Sequence, residues 1–227
     1  MSQDTNEYLF SMLTRALENQ DSKRARSKQV EIGPSQIGGC RRNVYYQLID
    51  APKTHNPDKL ASMMGTAIHE MIAEAIKFED PFGDNFLIEA SLEGGDLPAH
   101  TDLYIRDKGL VVDWKTTTKS GQRYFPSEQQ IMQVNLYAYI LEQNGESPKE
   151  VALVSIARDG NKSHIMTHSE PYNRGLAESG LKWLEEVKAS AEKREIPDPE
   201  KPKHFCIAAC PWYDATGEVG CPSMRRS

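Results

Sequence analysis

The sequence predicts an α/β protein whose central mixed sheet is flanked by helices. Apolar residues recur at helical spacing over residues 36–49 and 58–78. Residues 86–118 change to three alternating or short apolar runs between glycine and proline breaks, which predict an antiparallel three-strand meander. Further elements follow in the order helix, strand, strand and helix, over 128–145, 151–159, 163–168 and 170–194.

The length of 227 residues (25.6 kDa) suits one domain, or one domain with an appendage. The formal net charge of −6 excludes a protein that binds nucleic acid through a uniformly basic surface, but it permits a local basic groove. No apolar run approaches the roughly 20 residues of a membrane helix, and the first residues lack the basic-then-apolar order of a secretory signal. We therefore expect a cytoplasmic protein.

The chain is expected to begin with an appendage over residues 1–30, followed by a single domain over 31–227. Residues 5–19 place apolar side chains near one face of a short helix. The next segment carries four basic residues, which indicate either a solvated linker or an arm that contacts phosphates: Lys23, Arg24, Arg26 and Lys28. Ser35 is expected to cap the helix over 36–49.

Four cysteines are present: Cys40, Cys206, Cys210 and Cys221. They could form two disulfides, but disulfides are rare in the reducing cytosol. Four thiolates are also what a zinc ion or an iron–sulfur cluster requires. The tail that holds three of them is too rich in proline and glycine for regular structure, so a crosslink or a metal would explain its order.

The segment Asp113-Trp114-Lys115 is the sharpest local signal. Residues two apart on a strand point to the same face, so Asp113 and Lys115 project together. A carboxylate can hold Mg²⁺ or Mn²⁺, and an ammonium can orient a water and stabilise charge on a phosphate. Taken alone, an Asp-x-Lys strand is more often a surface ion pair.

Three further residues could join this acid at a metal. Asp102 lies on the preceding strand, where it is either a second carboxylate ligand or one more exposed strand-end residue. His69 follows Gly65 by one helical turn, and that glycine could let the helix approach the sheet and aim His69 at the metal. Glu89, on the strand before Asp102, could belong to the same cluster, but the interpretation as an ordinary solvent-facing residue is preferred.

Gln133 and Tyr137 are four residues apart and share a helical face. They could hold the lysine or a DNA phosphate, although Tyr137 alone would be read as packing at the edge of the core.

The ordered series Gly-x3-His, Asp, Asp-x-Lys and Gln-x3-Tyr resembles the PD-(D/E)xK nuclease superfamily, in its RecB-type exonuclease branch. The resemblance covers about residues 33–222 and implies a restriction-endonuclease-like core. It implies a metal bound by His69, Asp102, Asp113 and the Trp114 carbonyl, with Lys115 as the catalytic lysine. It also implies that Gln133 and Tyr137 support the site. The sequence departs from many members at Ala99, where they carry glycine.

Cys40, in the segment SQIGGCRRNVYY, resembles the N-terminal segment of the iron–sulfur nucleases, among them the AddB nuclease domain and the CRISPR-adaptation exonucleases. The resemblance implies that Cys40 and the three C-terminal cysteines hold a structural [4Fe-4S] cluster that joins the two ends of the domain. The intervals between the C-terminal cysteines are wider here than in those nucleases. Zinc is the main alternative, and four free thiols that merely pack are a further one.

The resemblance implies a Mg²⁺- or Mn²⁺-dependent DNA exonuclease that acts on single-stranded or frayed ends in recombination or repair, in a bacterium or a phage-infected cell. Alternatives are a structure-selective endonuclease or flap trimmer, a DNA-binding recombination accessory subunit that does not cut, and a metal-binding redox protein. Since the sequence has no phosphate-loop motif, a strand-annealing or helicase partner or a homo-oligomer is expected to assist on long duplexes. Candidate DNA contacts are the 23–28 arm, Arg41, Arg42, Lys119 and Arg123. Tyr124 and Phe125 could stack on unpaired bases, but the preferred interpretation is that both pack within the protein.

Overall fold

The computed structural model describes residues 3–23, 32–54, 56–92, 97–198, 205–218 and 220–222. Its helices are α1 (Gln3–Lys23), α2 (Arg41–Leu48), α3 (Leu60–Ile76), α4 (Glu128–Gln143), α5 (Arg174–Glu192) and α6 (Phe205–Ala209). Its strands are β1 (Phe86–Leu92), β2 (Ala99–Ile105), β3 (Leu110–Thr117), β4 (Glu150–Ala157) and β5 (Ile165–Pro171). Among these helices, none is both long enough and apolar enough to cross a membrane.

The strands form one mixed sheet in the order β1-β2-β3-β4-β5. β1, β2 and β3 are the predicted antiparallel meander. β4 pairs with β3 in parallel and with β5 antiparallel. A parallel neighbour requires a crossover, which α4 supplies between β3 and β4. The predicted α/β class with a mixed sheet is therefore confirmed.

The core lies between the sheet and α4, and α5 packs on the outer side of α4. α4 buries residues around most of its circumference, including Val134, Leu136 and Leu141. β4 alternates as expected for a strand with one face against this core, because Val151, Leu153 and Ser155 are buried and their neighbours are less so.

Several predicted boundaries are wrong. Ser35 caps no α-helix: it lies in the 3₁₀ turn Pro34–Gln36, and α2 begins after Cys40. Between the 3₁₀ turn and α2, Gly38 has a φ of 74°, a left-handed conformation that an α-helix cannot contain. The C-terminal tail is not wholly irregular, because it includes the short helix α6.

The predicted N-terminal helix is longer than residues 5–19, since α1 spans Gln3–Lys23. Most of its large apolar residues are exposed, namely Tyr8, Leu9, Phe10, Met12 and Leu13. The basic residues of the proposed arm lie at 24–28, outside the described residues, apart from Lys23 at the end of α1.

Candidate active site

The hydrogen-bonded pairing between β2 and β3 ends at the two candidate acids. The β2–β3 ladder runs from Ile105↔Leu110 to Leu103↔Val112 and goes no further. Asp102 and Asp113 are the next residue on each strand, and both are buried. Asp102 Oδ2 accepts a hydrogen bond from the Trp114 backbone N–H at 2.7 Å. A side chain thus satisfies the backbone donor at the point where the ladder ends.

α3 brings His69 to this opening. A Cβ on Gly65 would lie 2.9 Å from Thr116 Oγ1, so a glycine lets the helix backbone pass close to β3. One turn later, His69 Nδ1 lies 3.4 Å from Asp102 Oδ1. The structure therefore brings His69 and Asp102 together, as the sequence predicts.

Glu89 also belongs to this group, although it was interpreted as an ordinary solvent-facing residue. It is exposed, but one ligand atom from each of His69, Glu89 and Asp102 lies within 4.8 Å of the others. Glu89 faces Asp102 between the ladder pairs Ile88↔Leu103 and Ala90↔Thr101, and its φ is 48°. Antiparallel register between β1 and β2 is the signal that could have found it.

The surrounding charges favour a cation at this group. Burial tends to lower the pKa of His69, but the hydrogen bond to Asp102 and the negative charges of Asp102, Asp113 and Glu89 outweigh it and raise that pKa. Burial and the neighbouring charge of Asp102 raise the pKa of Glu89. Three carboxylates around one imidazole thus make a strongly negative site.

α4 carries the second half of the site. Gln133 is buried and accepts a hydrogen bond from Lys115 Nζ at 2.6 Å through its Oε1. Its Nε2 donates to Tyr137 Oη at 2.8 Å and to Asp113 Oδ1 at 3.3 Å. Gln133 therefore joins the lysine, the acid and the phenol in one network.

Asp113 is the most deeply buried acid of the site, at 2% exposure. Burial raises its pKa to about 6, although the adjacent Lys115 ammonium acts in the opposite direction. Lys115 Nζ lies 2.7 Å from Asp113 Oδ2, but within the described residues this oxygen has no well-directed hydrogen bond. Asp113 lies outside the His69–Glu89–Asp102 group, whose ligand atoms are within 4.8 Å of one another, but it interacts electrostatically with Asp102 and His69. A buried carboxylate oxygen without a directed donor, near an acid and an imidazole, fits a divalent cation that prefers oxygen ligands.

The four cysteines lie around one cavity, also lined by Arg42, Asn43, Tyr46 and Tyr213. All four are thiols, so the disulfide alternative is not supported. Arg42 Nη1 lies 3.7 Å from Cys221 Sγ, and Asn43 Nδ2 lies 3.6 Å from Cys210 Sγ. In the described chain, no three of the sulfur atoms gather within 4.8 Å, whereas thiolates about 2.3 Å from one zinc would be about 3.8 Å apart.

The tail is fixed beside this cavity by Trp212. Its ring stacks on Tyr46 with centroids 6.1 Å apart, and its Nε1 donates to Ala51 O at 3.0 Å. The residues that line the cavity thus come from two segments far apart in the sequence, 40–46 and 206–221.

The predicted DNA contacts differ in their surroundings. Arg41 pairs with Glu186 at 3.0 Å and lies over the Trp183 ring. Arg42 donates to Pro197 O at 2.7 Å as well as facing Cys221. These two arginines hold α5 and the tail, which argues against the DNA-contact interpretation.

The loop after β3 keeps its basic residues exposed, namely Lys119 and Arg123. Phe125 packs against the core, as the sequence analysis predicts. The same prediction is wrong for Tyr124, because 55% of this residue is exposed.

A mixed sheet that carries an acid-x-lysine strand at its centre defines the restriction-endonuclease-like class. The chain matches the family model of the PD-(D/E)XK nuclease superfamily over residues 82–215. This match includes both aspartates, the lysine and the α4 pair, and it spans more than half of the chain. The chain therefore belongs to the PD-(D/E)XK nuclease superfamily.

Solved structures share this fold. SSO0001 aligns with 98% of this chain and 98% of its own, at 17% identity and a TM-score of 0.53. The alkaline exonuclease LHK-Exo from Laribacter hongkongensis covers 73% of this chain and 92% of its own, at 12% identity and a TM-score of 0.50. At such identities the likeness establishes the fold alone. No curated protein sequence matches the chain.

Proposed function

We propose that the protein is a Mg²⁺- or Mn²⁺-dependent deoxyribonuclease, of the RecB-type exonuclease branch, that shortens single-stranded or frayed DNA ends in recombination or repair. The observation that carries this proposal is the group formed by His69, Glu89 and Asp102, near the buried Asp113–Lys115 pair on the neighbouring strand. Membership of the nuclease superfamily supports the cleavage of phosphodiester bonds. The exonuclease assignment rests on the ordered motif series and agrees with the fold shared with an alkaline exonuclease.

In this proposal, His69, Asp102, Asp113 and the Trp114 carbonyl hold one or two divalent cations. Glu89, directly opposite Asp102, is a further ligand, directly or through a water. When bound, the cation supplies Lewis acidity at the phosphate and stabilises the leaving oxygen. The other steps belong to side chains of the chain itself.

Lys115 orients the attacking water and stabilises the negative charge that develops on the phosphate. Gln133 fixes the ammonium through the 2.6 Å hydrogen bond, and Tyr137 fixes the Gln133 amide. Water forms a new bond to phosphorus as the bond to the 3′ oxygen breaks. The products are a 5′-phosphate and a 3′-hydroxyl, without a covalent intermediate.

End-labelled single-stranded and duplex DNA, incubated with the purified protein and Mn²⁺ or Mg²⁺, tests this function. The wild-type protein should shorten DNA, and Asp113→Ala should abolish cutting because it removes a buried ligand. Asp107→Ala, an exposed acid in the β2–β3 turn, should behave as wild type. Cutting at internal junctions of a closed circle would support the endonuclease alternative. DNA binding without cutting under several metals would support the accessory-subunit alternative.

We further propose that Cys40, Cys206, Cys210 and Cys221 hold a structural [4Fe-4S] cluster. Their shared cavity and the N–H groups that face two of the sulfur atoms support such a group. Anaerobic protein should be brown, with broad absorbance and close to four iron atoms per chain. A colourless protein with one zinc would replace the cluster by the zinc alternative.

A further inference from the structure

The turn that follows β3 closes directly on the end of that strand. A Cβ on Gly121 would come 2.2 Å from Thr117 Oγ1, so a side chain at this position would have to displace the Thr117 hydroxyl. Thr117 is two residues beyond Lys115, about 7 Å along a strand. The 3₁₀ turn Gly121–Tyr124 therefore adjoins the active site on the lysine side.

Gln122 anchors this turn from within. It is buried, and its Nε2 donates to His164 O at 2.6 Å and lies 3.4 Å from both Ser155 O and Ser155 Oγ. At the start of the loop, the Lys119 N–H donates to Asp159 Oδ1 at 2.8 Å. The turn is thus tied to the end of β4 and to the chain before β5.

The fixed turn presents an aromatic ring to solvent. Tyr124 is 55% exposed, whereas Phe125, the next residue, packs against the core. The Arg123 guanidinium lies 4.7 Å from the centroid of the Tyr124 ring. Lys119 and Arg123 both lie exposed on this loop. An exposed aromatic ring with adjacent cations matches the chemistry that binds single-stranded nucleic acid, by stacking of bases and attraction of phosphates.

We propose that Tyr124 and Arg123 form a subsite for an unpaired nucleobase of the strand that enters the active site. The base stacks on the Tyr124 ring, and Arg123 supports the ring and attracts the adjacent phosphate. This inference rests on the proposed nuclease function and extends it, because it gives a structural cause for a preference for unpaired ends. A base in duplex DNA must first leave its stack, which costs free energy.

Three variants test the subsite: Tyr124→Ala, Tyr124→Phe and the matched control Phe82→Ala. Phe82 is 87% exposed and precedes β1, at the opposite end of the sheet from Tyr124. Steady-state cleavage of a single-stranded oligonucleotide and of a blunt duplex gives KM and kcat for each. Tyr124→Ala should raise KM for the single strand roughly tenfold, with a smaller change on the duplex. Tyr124→Phe should retain the wild-type KM within about twofold, because it keeps the ring.

A binding measurement separates this inference from the proposed function. In a Lys115→Ala background with Mg²⁺, an oligonucleotide with 2-aminopurine at successive positions from its end reports stacking as fluorescence quenching. Adding Tyr124→Ala should remove the quenching at one position, and adding Phe82→Ala should not. Quenching by a wild-type protein that never cuts would overturn the nuclease and keep the subsite. Equal KM values and equal quenching with and without the ring would overturn the subsite and leave the nuclease intact.

Discussion

Replacement of Gln133 by leucine tests the network that supports the candidate lysine. The substitution preserves volume but removes the acceptor 2.6 Å from Lys115 Nζ and the donors to Asp113 and Tyr137. A hydrogen bond to a charged group contributes about 1.5–3 kcal/mol, and a buried group left unpaired costs a similar amount. The Lys115 side chain is 20% exposed, so water can replace part of the loss.

We therefore expect Gln133→Leu to lower the free energy of unfolding by about 2 kcal/mol. For a chain of this size, that corresponds to a Tm lower by about 4–8 °C. Because Gln133 positions Lys115 without contacting DNA in the proposed mechanism, kcat should fall roughly 10- to 100-fold and KM should change little. Differential scanning calorimetry and single-turnover cleavage measure the two effects.

The control is Gln143→Leu, an exposed position at the end of the same helix. It should leave both Tm and kcat near wild type. If Gln133→Leu matched this control in both measurements, the inferred role of Gln133 in holding the lysine would be refuted. A Gln133→Leu protein with low Tm but normal kcat would restrict Gln133 to a structural role.

Three further predictions follow from individual contacts. The pKa of Asp113 is raised to about 6 from its ordinary 3.8, so its contribution to metal-free stability is present below pH 4 and lost as pH rises through 6. The Tm increase from saturating Mn²⁺ should therefore grow between pH 5 and pH 7, and a pH-independent increase would contradict this. Gly65→Ala should lower cleavage because a methyl 2.9 Å from Thr116 Oγ1 displaces the helix that carries His69; unchanged kcat and Mn²⁺ affinity would count against this packing argument. Trp212→Ala should destabilise the protein by about 3–5 kcal/mol and expose the tail to limited proteolysis, which mass spectrometry can follow; unchanged cleavage of the tail would show that other contacts fix it.

Local periodicity predicted much of the fold correctly. The three meander strands and α4 lie close to their predicted positions, because alternation and helical spacing are properties of a short segment. The spacing of residues within an element also predicted which candidate side chains share a face. Residues 113 and 115 do so on a strand, and residues 133 and 137 do so on a helix. What the sequence could not supply is the chemical role of each residue, which remains a prediction.

Contacts between distant segments could not be predicted from local sequence. Arg41 and Arg42 have the composition of a phosphate-binding pair, but α5 and the tail engage them. Tyr124 was expected to pack, yet the anchoring of Gln122 directs the next two residues outward. Glu89 is exposed, as preferred from the sequence, but its proximity to His69 and Asp102 depends on the register between β1 and β2. None of these contacts is encoded within a window of a few residues.

The opening between β2 and β3 explains why the acids occupy these positions. An uninterrupted ladder would place Asp102 and Asp113 opposite one another as an ordinary cross-strand pair, and like charges in that arrangement repel. Where the strands part, the Asp102 side chain takes over the Trp114 N–H, and Asp113 turns to Lys115 and Gln133. Each carboxylate therefore keeps two polar partners within the protein. The charges of both still raise the pKa of His69, and burial together with the charge of Asp102 raises the pKa of Glu89. A bound divalent cation would relieve this repulsion, so the same geometry that weakens the metal-free sheet favours metal binding.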